Sequence, residues 1–289
     1  MDIQNLHAFI KVSETASFSK AAEQLHLTQP AVSKRIAALE QELGTALFER
    51  SGKEIRLTVA GKALLSSARK ILEALEESRR IINNLSGKVA GQLRLGTSHH
   101  VGLHHLPPVL RTYTSRYPDV ELDIHFMDSE VACLAVEKGD LELAVVTLPE
   151  QAQIQSLRTR LIWQDPLKIV TAKNHPLTKV GSRISVEDLI RYPAILPSPS
   201  TFTRMLIERH LHLNQHRLKI KLETNYLETI KMMVSIGLGW SVLPQTMLNK
   251  ELIPLEMEGI DISRNLGAVF HADRTLSIAA QKMLETLEK

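Results

Sequence analysis

Apolar residues recur at helical spacing in three short runs at the start of the chain. Leu6, Phe9 and Ile10 fall with Ser13 on one face of a first helix. Ser17 is placed to cap a second helix at 18–25, where Ala21, Ala22 and Leu25 form a narrow apolar stripe. After a tight connection through His26 and Leu27, Thr28 is the cap of a third helix over about 29–43. Pro30 sits in its first turn, where a missing N–H costs nothing. Val32, Ile36, Leu39 and Leu43 step by four, three and four, which predicts one core-facing stripe. The opposite face carries Pro30, Lys34, Ala37 and Gln41, with Ser33 on its flank. Beyond Gly44, residues 47–57 read as two short strands around a Ser51-Gly52-Lys53 turn, decorated by Arg50, Lys53 and Arg56.

The pattern then changes period. From Thr58 to Leu85 there is no proline, and Leu64, Ala68, Ile71, Leu75, Ser78, Ile82 and Leu85 alternate steps of four and three. That average of 3.5 is the repeat of a coiled-coil seam, so a long helix able to pair with a second copy is predicted at 59–86. Gly87 and Gly91 bracket a hinge at 87–91. From 92 onward, strand and helix patterns alternate. Strands are predicted at 92–97, 120–126, 141–147, 167–172, 194–196, 220–223, 241–243 and 266–271, and helices near 105–116, 129–138, 202–212 and 226–236. Alternating βα units imply parallel sheets with right-handed crossovers.

Charge and composition sharpen this outline. The first 90 residues hold 13 Lys and Arg against 10 Asp and Glu, whereas residues 91–289 are balanced at 22 each. The whole basic surplus therefore lies with the three short helices and the hairpin, the end at which a polyanion would bind. A helix whose exposed start is small, polar and cationic can enter the major groove of DNA. Its free N–H groups suit a phosphate, and arginines on a hairpin suit phosphate or minor-groove contacts. The single Cys133 excludes an internal disulfide and a multi-cysteine metal site, and in Val131-Ala132-Cys133-Leu134 it reads as a buried thiol. The first residues lack the basic and apolar parts of a signal peptide, and no run approaches the roughly 18 apolar residues of a membrane span. A cytoplasmic protein is the expectation.

The stretch FSKAAEQLHLTQPAVSKRI at 18–36, LFER at 47–50 and RLTVAG at 56–61 resembles the DNA-binding signature of LysR-type transcriptional regulators. The likeness continues more weakly along the chain and includes GLGWSVLP at 237–244. It implies a winged helix-turn-helix at 1–58, mainly α, followed by a dimerising linker helix. The remainder, 92–289, becomes a two-lobed α/β effector domain like periplasmic binding proteins, with lobe I at 92–162 and 267–289 and lobe II at 163–266. Carried over by position, it implies Gln29, Pro30, Ser33 and Lys34 in the groove, Arg50 on the wing, and Thr28 capping the helix and touching phosphate. Lys34 stands where the family often has arginine, and lysine lacks the bidentate fork for guanine. Lys53 and Arg56 complete the candidate DNA contacts. The partners implied are promoter DNA, a small effector and further copies of the chain, as antiparallel-paired dimers and a dimer of dimers. RNA polymerase is a further candidate partner.

Ligands of open α/β sheets bind beyond the carboxyl ends of strands, where helix N-termini point. The resemblance favours Ser98, Ser129, Ser200 and Thr201 as effector contacts, followed by His100, Thr147 and Phe202. Hydroxyls and N–H groups converging there suit a carboxylate or an inorganic anion, although each hydroxyl also reads as a plain helix cap. No cofactor is predicted. His99, His100, His104 and His105 depart from the small or hydroxyl residues commoner in the family. His100 and His104 have the i, i+4 spacing of a helical metal pair, yet no cysteine or second metal signature accompanies them, and Gly102 and Pro107 oppose a long helix. Metal ligation, lining of an anion pocket and plain surface exposure all stay open, and no metal site is assigned. Two rival classes are an α/β enzyme and a constitutive architectural DNA-binder. The first lacks a GxSxG, GxxxxGK[ST] or HExxH motif and leaves the winged start unexplained, so no catalytic residue is predicted. The second leaves some 200 residues of two-lobed fold without purpose.

Overall fold

Caps and apolar stripes define the elements of the first unit. A computed structural model of the chain describes residues 1–49, 55–85, 87–149, 155–180, 183–212 and 218–289. It divides into two compact units, Met1–Ser86 and Gly87–Lys289. In the first, Asp2 caps α1 (Ile3–Thr15), Ser17 caps α2 (Phe18–Gln24) and Thr28 caps α3 (Gln29–Leu43), each through a side-chain oxygen that accepts a backbone N–H. Gly44 ends α3 at φ 66°, a left-handed conformation that favours glycine. Strands β1 (Phe48–Glu49) and β2 (Arg56–Leu57) pair antiparallel as a hairpin, and α4 (Val59–Leu85) follows.

Leu6, Phe9, Val12, Ala21, Val32, Ile36, Leu39, Phe48 and Ala68 form one buried cluster, with Leu64, Leu65 and Leu72 of α4 packed against it. Leu43, expected on the core stripe, is exposed instead, because it lies in the last turn of α3, where the helix reaches past the core. Glu40 accepts the N–H groups of Leu47 and Phe48 at 2.8 and 3.3 Å, which fixes the hairpin to α3. Gly61 lets α4 approach the same turn, since a β-carbon there would lie 2.2 Å from the Leu47 carbonyl oxygen. The 3.5-residue seam does not keep a single environment along α4. Ala68 is fully buried in its own unit, whereas Ile82 and Leu85 are 67% and 83% exposed.

The second unit runs β3 (Gly91–Thr97), α5 (His99–His104), α6 (Leu106–Arg116), β4 (Val120–Phe126), α7 (Ser129–Lys138), β5 (Leu143–Thr147) and β6 (Leu157–Ala172). Next come α8 (Val186–Ile190), β7 (Ala194–Leu196), α9 (Phe202–His210), β8 (Ile220–Glu223), α10 (Leu227–Ser235), β9 (Ser241–Pro244), β10 (Leu252–Leu255), β11 (Ile262–His271) and α11 (Ile278–Leu287). Lobe I is the order β4-β3-β5, parallel, closed by β11 antiparallel to β5 and by the first half of β6. Its core joins Leu93, Leu95, Leu143 and Val145 to Ala280 and Met283 of α11. Lobe II packs around buried Trp240, whose indole N–H donates to the Leu189 carbonyl at 3.0 Å. There the second half of β6 pairs antiparallel with β9 and β10, while β7 and β8 pair parallel.

Two connections differ from the predicted pattern of purely parallel βα units. β6 spans 16 residues and β11 spans 10, longer than the 167–172 and 266–271 predicted, and the two run antiparallel as the strands shared by both lobes. Their period-2 pattern is broken because the buried face changes as each strand crosses from one lobe to the other. The register shifts at Leu266/Gly267, where a β-carbon on Gly267 would lie 2.0 Å from the Arg160 carbonyl oxygen. The helix predicted at 105–116 is present as α6, and a short helix that was not predicted, α5, precedes it and meets it at His105.

Candidate functional site

In the first unit, Thr28, Gln29, Pro30 and Lys34 are exposed together on the start of α3, and Ser33 is half-buried beside them. The Gln29 amide donates to the Ser33 hydroxyl at 3.2 Å, so these two polar groups already share one orientation. Arg56 is exposed on β2 opposite Glu49. Arg50 and Lys53 lie outside the described residues. Arg35, which sequence reasoning passed over, donates from its guanidinium to the Gln4 side chain and ties α3 to the start of α1.

In the second unit a cavity of about 50 Å³ lies between the lobes. On the usual measure a water needs roughly 10–15 Å³ of such space, so the volume suits a few waters or one small oxyanion. Ser98, His100, Ser129, Thr147 and Thr201 line it, but Ser200 and Phe202 do not. Ser200 is exposed, and the Phe202 ring packs on the lobe I cluster around Ala132 and Cys133. The hydroxyls differ in how far they are committed. Thr201 is a satisfied cap that accepts the Arg204 N–H at 3.2 Å and donates to the Ser198 carbonyl at 2.9 Å. Ser129 accepts the Thr147 N–H at 3.2 Å, which leaves its own proton to donate. Ser98 occupies the cap position of α5 without a side-chain capping bond.

The charged residues of the cleft were missed by sequence reasoning. Arg264 of β11 is 5% exposed, and its Nε donates to Asp165, itself 1% exposed, at 2.7 Å. Its Nη1 donates to the Thr203 hydroxyl at 3.2 Å, and its Nη2 has no hydrogen-bond partner. Asp165 Oδ1 and both ring nitrogens of His100 are likewise buried without partners. Burial lowers the Arg264 pKa, and the Asp165 carboxylate opposes that lowering. Burial first, and then Arg264, hold His100 down to about 2, so its imidazole is neutral. An arginine in the middle of the strand pattern ISRNLGAVF was the available signal, because a charge inside an apolar strand needs a partner.

The lobes are joined across this cleft by polar contacts. Asn225 donates to Asp128 at 2.8 Å while accepting the Ser198 N–H at 2.9 Å. The Glu130 carboxylate of α7 accepts the Phe202 N–H at the start of α9. Burial raises the Glu130 pKa, and that N–H opposes the rise. His104 and Glu228 meet at 2.9 Å, and the His99 and Tyr226 rings lie 4.7 Å apart. Cys133 is buried, which pushes its thiol up to about 12 and makes it a poor nucleophile.

A capped three-helix unit with a paired hairpin, joined in one chain to a two-lobed α/β unit around a polar cleft, defines the class of ligand-responsive helix-turn-helix regulators. The family models agree. Residues 3–62 match the bacterial regulatory helix-turn-helix protein of the lysR family, and residues 86–289 match the LysR substrate binding domain. The chain belongs to the LysR family of transcriptional regulators. It is 30% identical over 292 residues to the HTH-type transcriptional activator CmpR of a Synechocystis species, covering 99% of this chain and 94% of that one. It is 32% identical over 284 residues to a probable RuBisCO transcriptional regulator of Thalassiosira pseudonana, covering 94% and 92%. An HTH-type regulator of Azotobacter vinelandii is 65% identical over 108 residues, 37% of this chain and 75% of that one. Among solved structures, full-length CbnR with its target DNA aligns at TM-score 0.63 and 21% identity over 99% of each chain. A full-length OxyR variant from Pseudomonas aeruginosa aligns at 0.58 and 23%, also over 99% of each. At those identities the structures report the shared fold.

Proposed function

We propose that the interlobe cleft binds a small anion, a carboxylate or an inorganic oxyanion, and that its occupancy sets how a multimer of this LysR-type regulator holds promoter DNA. One observation carries the ligand class: a buried guanidinium lines the cleft with an unpartnered Nη2, beside a Ser129 hydroxyl and a Ser98 hydroxyl with donating capacity left. Three donors around a small cavity stabilise a negative charge in a site poor in water.

DNA is read by the exposed start of α3, with Gln29, Ser33 and Lys34 against base edges or phosphates, Thr28 and Pro30 at the helix end, and Arg50, Lys53 and Arg56 on the wing. CbnR, of the same fold, has been solved with its target DNA, which supports this assignment. Ile71, Ile82 and Leu85, exposed along one side of α4, supply an apolar seam for a second copy, and dimers pair again into tetramers. The protein acts in the cytoplasm, and neither the cleft nor the winged unit is assigned a catalytic role. Coupling of about 1–3 kcal/mol between cleft and DNA sites is enough for regulation.

Thermal-shift titration of the full chain with a panel of small carboxylates, phosphate and sulfate, beside neutral and cationic small molecules, tests the ligand class. A saturable rise in Tm for at least one anion, abolished in Arg264→Met, is expected. A panel in which only neutral or cationic compounds raise the Tm overturns it.

A further inference from the structure

The anion reading gives no role to the ring nitrogens of His100 or to His104. His100 and His104 lie four residues apart on α5, with ring centroids 4.8 Å apart. Across the cleft, the Glu228 Oε1 of α10 lies 2.9 Å from His104 Nε2. One ligand atom from each of His100, His104 and Glu228 falls within 4.8 Å of the other two. His100 is 5% exposed, and neither of its nitrogens has a hydrogen-bond partner. A buried imidazole so placed is an unused donor beside two ready ligands.

We propose that His100, His104 and Glu228 form a site for a divalent cation of the Zn²⁺, Ni²⁺ or Co²⁺ class, which clasps the two lobes together. The donor set selects the class. Imidazoles with one carboxylate suit these borderline ions, whereas Mg²⁺ and Ca²⁺ take oxygen ligands. Two histidines with one glutamate leave a fourth position to water, as in open zinc sites. Bond lengths of about 2.0–2.2 Å bring the ligand atoms to roughly 3.4 Å from one another, a closure within reach of side-chain rotation. His104 and Glu228 are 41% and 42% exposed, so the ion has a path from solvent. The neighbouring set of His100, His105 and Asp165 is disfavoured as a ligand group. Asp165 is already committed to Arg264 at 2.7 Å, and the His105 ring stacks 5.0 Å from Trp163. Because α5 belongs to lobe I and α10 to lobe II, metal loading strengthens the existing His104–Glu228 contact into a bond between lobes.

The test uses the tag-free full-length chain. Zn²⁺ is measured by equilibrium dialysis, and Co²⁺ by its visible absorption as a spectroscopic stand-in. The wild type retains one ion per chain and shows the band of a low-symmetry four-coordinate Co²⁺ site. His104→Ala and Glu228→Gln each weaken binding at least tenfold, while His125→Ala, a histidine on β4 outside the cluster, binds as the wild type does. Both cluster variants alter exposed side chains and keep the fold. Zn²⁺ raises the Tm of the wild type and leaves that of Glu228→Gln unmoved. Retention of less than one ion in ten wild-type chains overturns the proposal. So does binding by His104→Ala and Glu228→Gln at wild-type strength, which marks adventitious surface chelation.

Discussion

Arg264→Met removes the guanidinium that holds Asp165 across the two shared strands. Asp165 is 1% exposed, and its only hydrogen bond among the described residues comes from Arg264 Nε at 2.7 Å. The variant therefore leaves a carboxylate buried without a counter-charge, a defect worth about 3–5 kcal/mol in other proteins. Methionine fills much of the same volume, so the loss reports charge more than cavity. Both tryptophans, Trp163 and Trp240, lie in the second unit, one on β6 and one in the lobe II core. Their fluorescence in urea follows that unit alone. With a urea slope of about 2 kcal/mol per molar, the midpoint falls by roughly 1.5–2.5 M. Asp165→Asn added to Arg264→Met removes the stranded charge and recovers at least half of that loss. Two results refute the reasoning: a single-variant shift below about 0.5 M, or a double variant no better than the single one.

Two further predictions concern DNA and pH. Lys34→Ala lowers operator affinity at low salt, and the slope of log K against log salt becomes shallower by about 1 per subunit if Lys34 meets a phosphate; an unchanged slope assigns Lys34 to a base edge or to no contact. His100 is held down to about 2 when folded, against 6.5 when free, so the unfolded chain takes up the proton first on acidification. The contribution is complete above about pH 6.5 and is lost as pH falls through that value, at about 1.4 kcal/mol per pH unit, or roughly 2 kcal/mol between pH 6.5 and 5. Urea midpoints at pH 7.5 and 5 check this, and His100→Gln should flatten the difference; an equal acid loss in that variant assigns the effect to other groups.

The first unit was legible because its determinants are local. Ser17 and Thr28 cap helices through oxygens three residues from their N–H partners, and Val32, Ile36 and Leu39 face the core by helical period alone. The same local logic located the strand and helix ends that carry Ser98, Ser129 and Thr147, which the fold gathers at one cavity. It could not separate Ser200 from Thr201, because the two are adjacent and similar, and only the path of the turn decides which side chain faces inward.

The amino-acid order alone determined the winged start, the long helix with its 3.5-residue repeat, and the alternation of strands and helices behind it. Each follows from neighbours within one or two turns of chain. The tertiary structure alone decided the chemistry of the cleft. Arg264 meets Asp165 from 99 positions away, and His104 meets Glu228 across 124. No periodicity encodes such meetings. They arise because β6 and β11 run antiparallel through both lobes and bring to one point polar groups whose burial is tolerable only together.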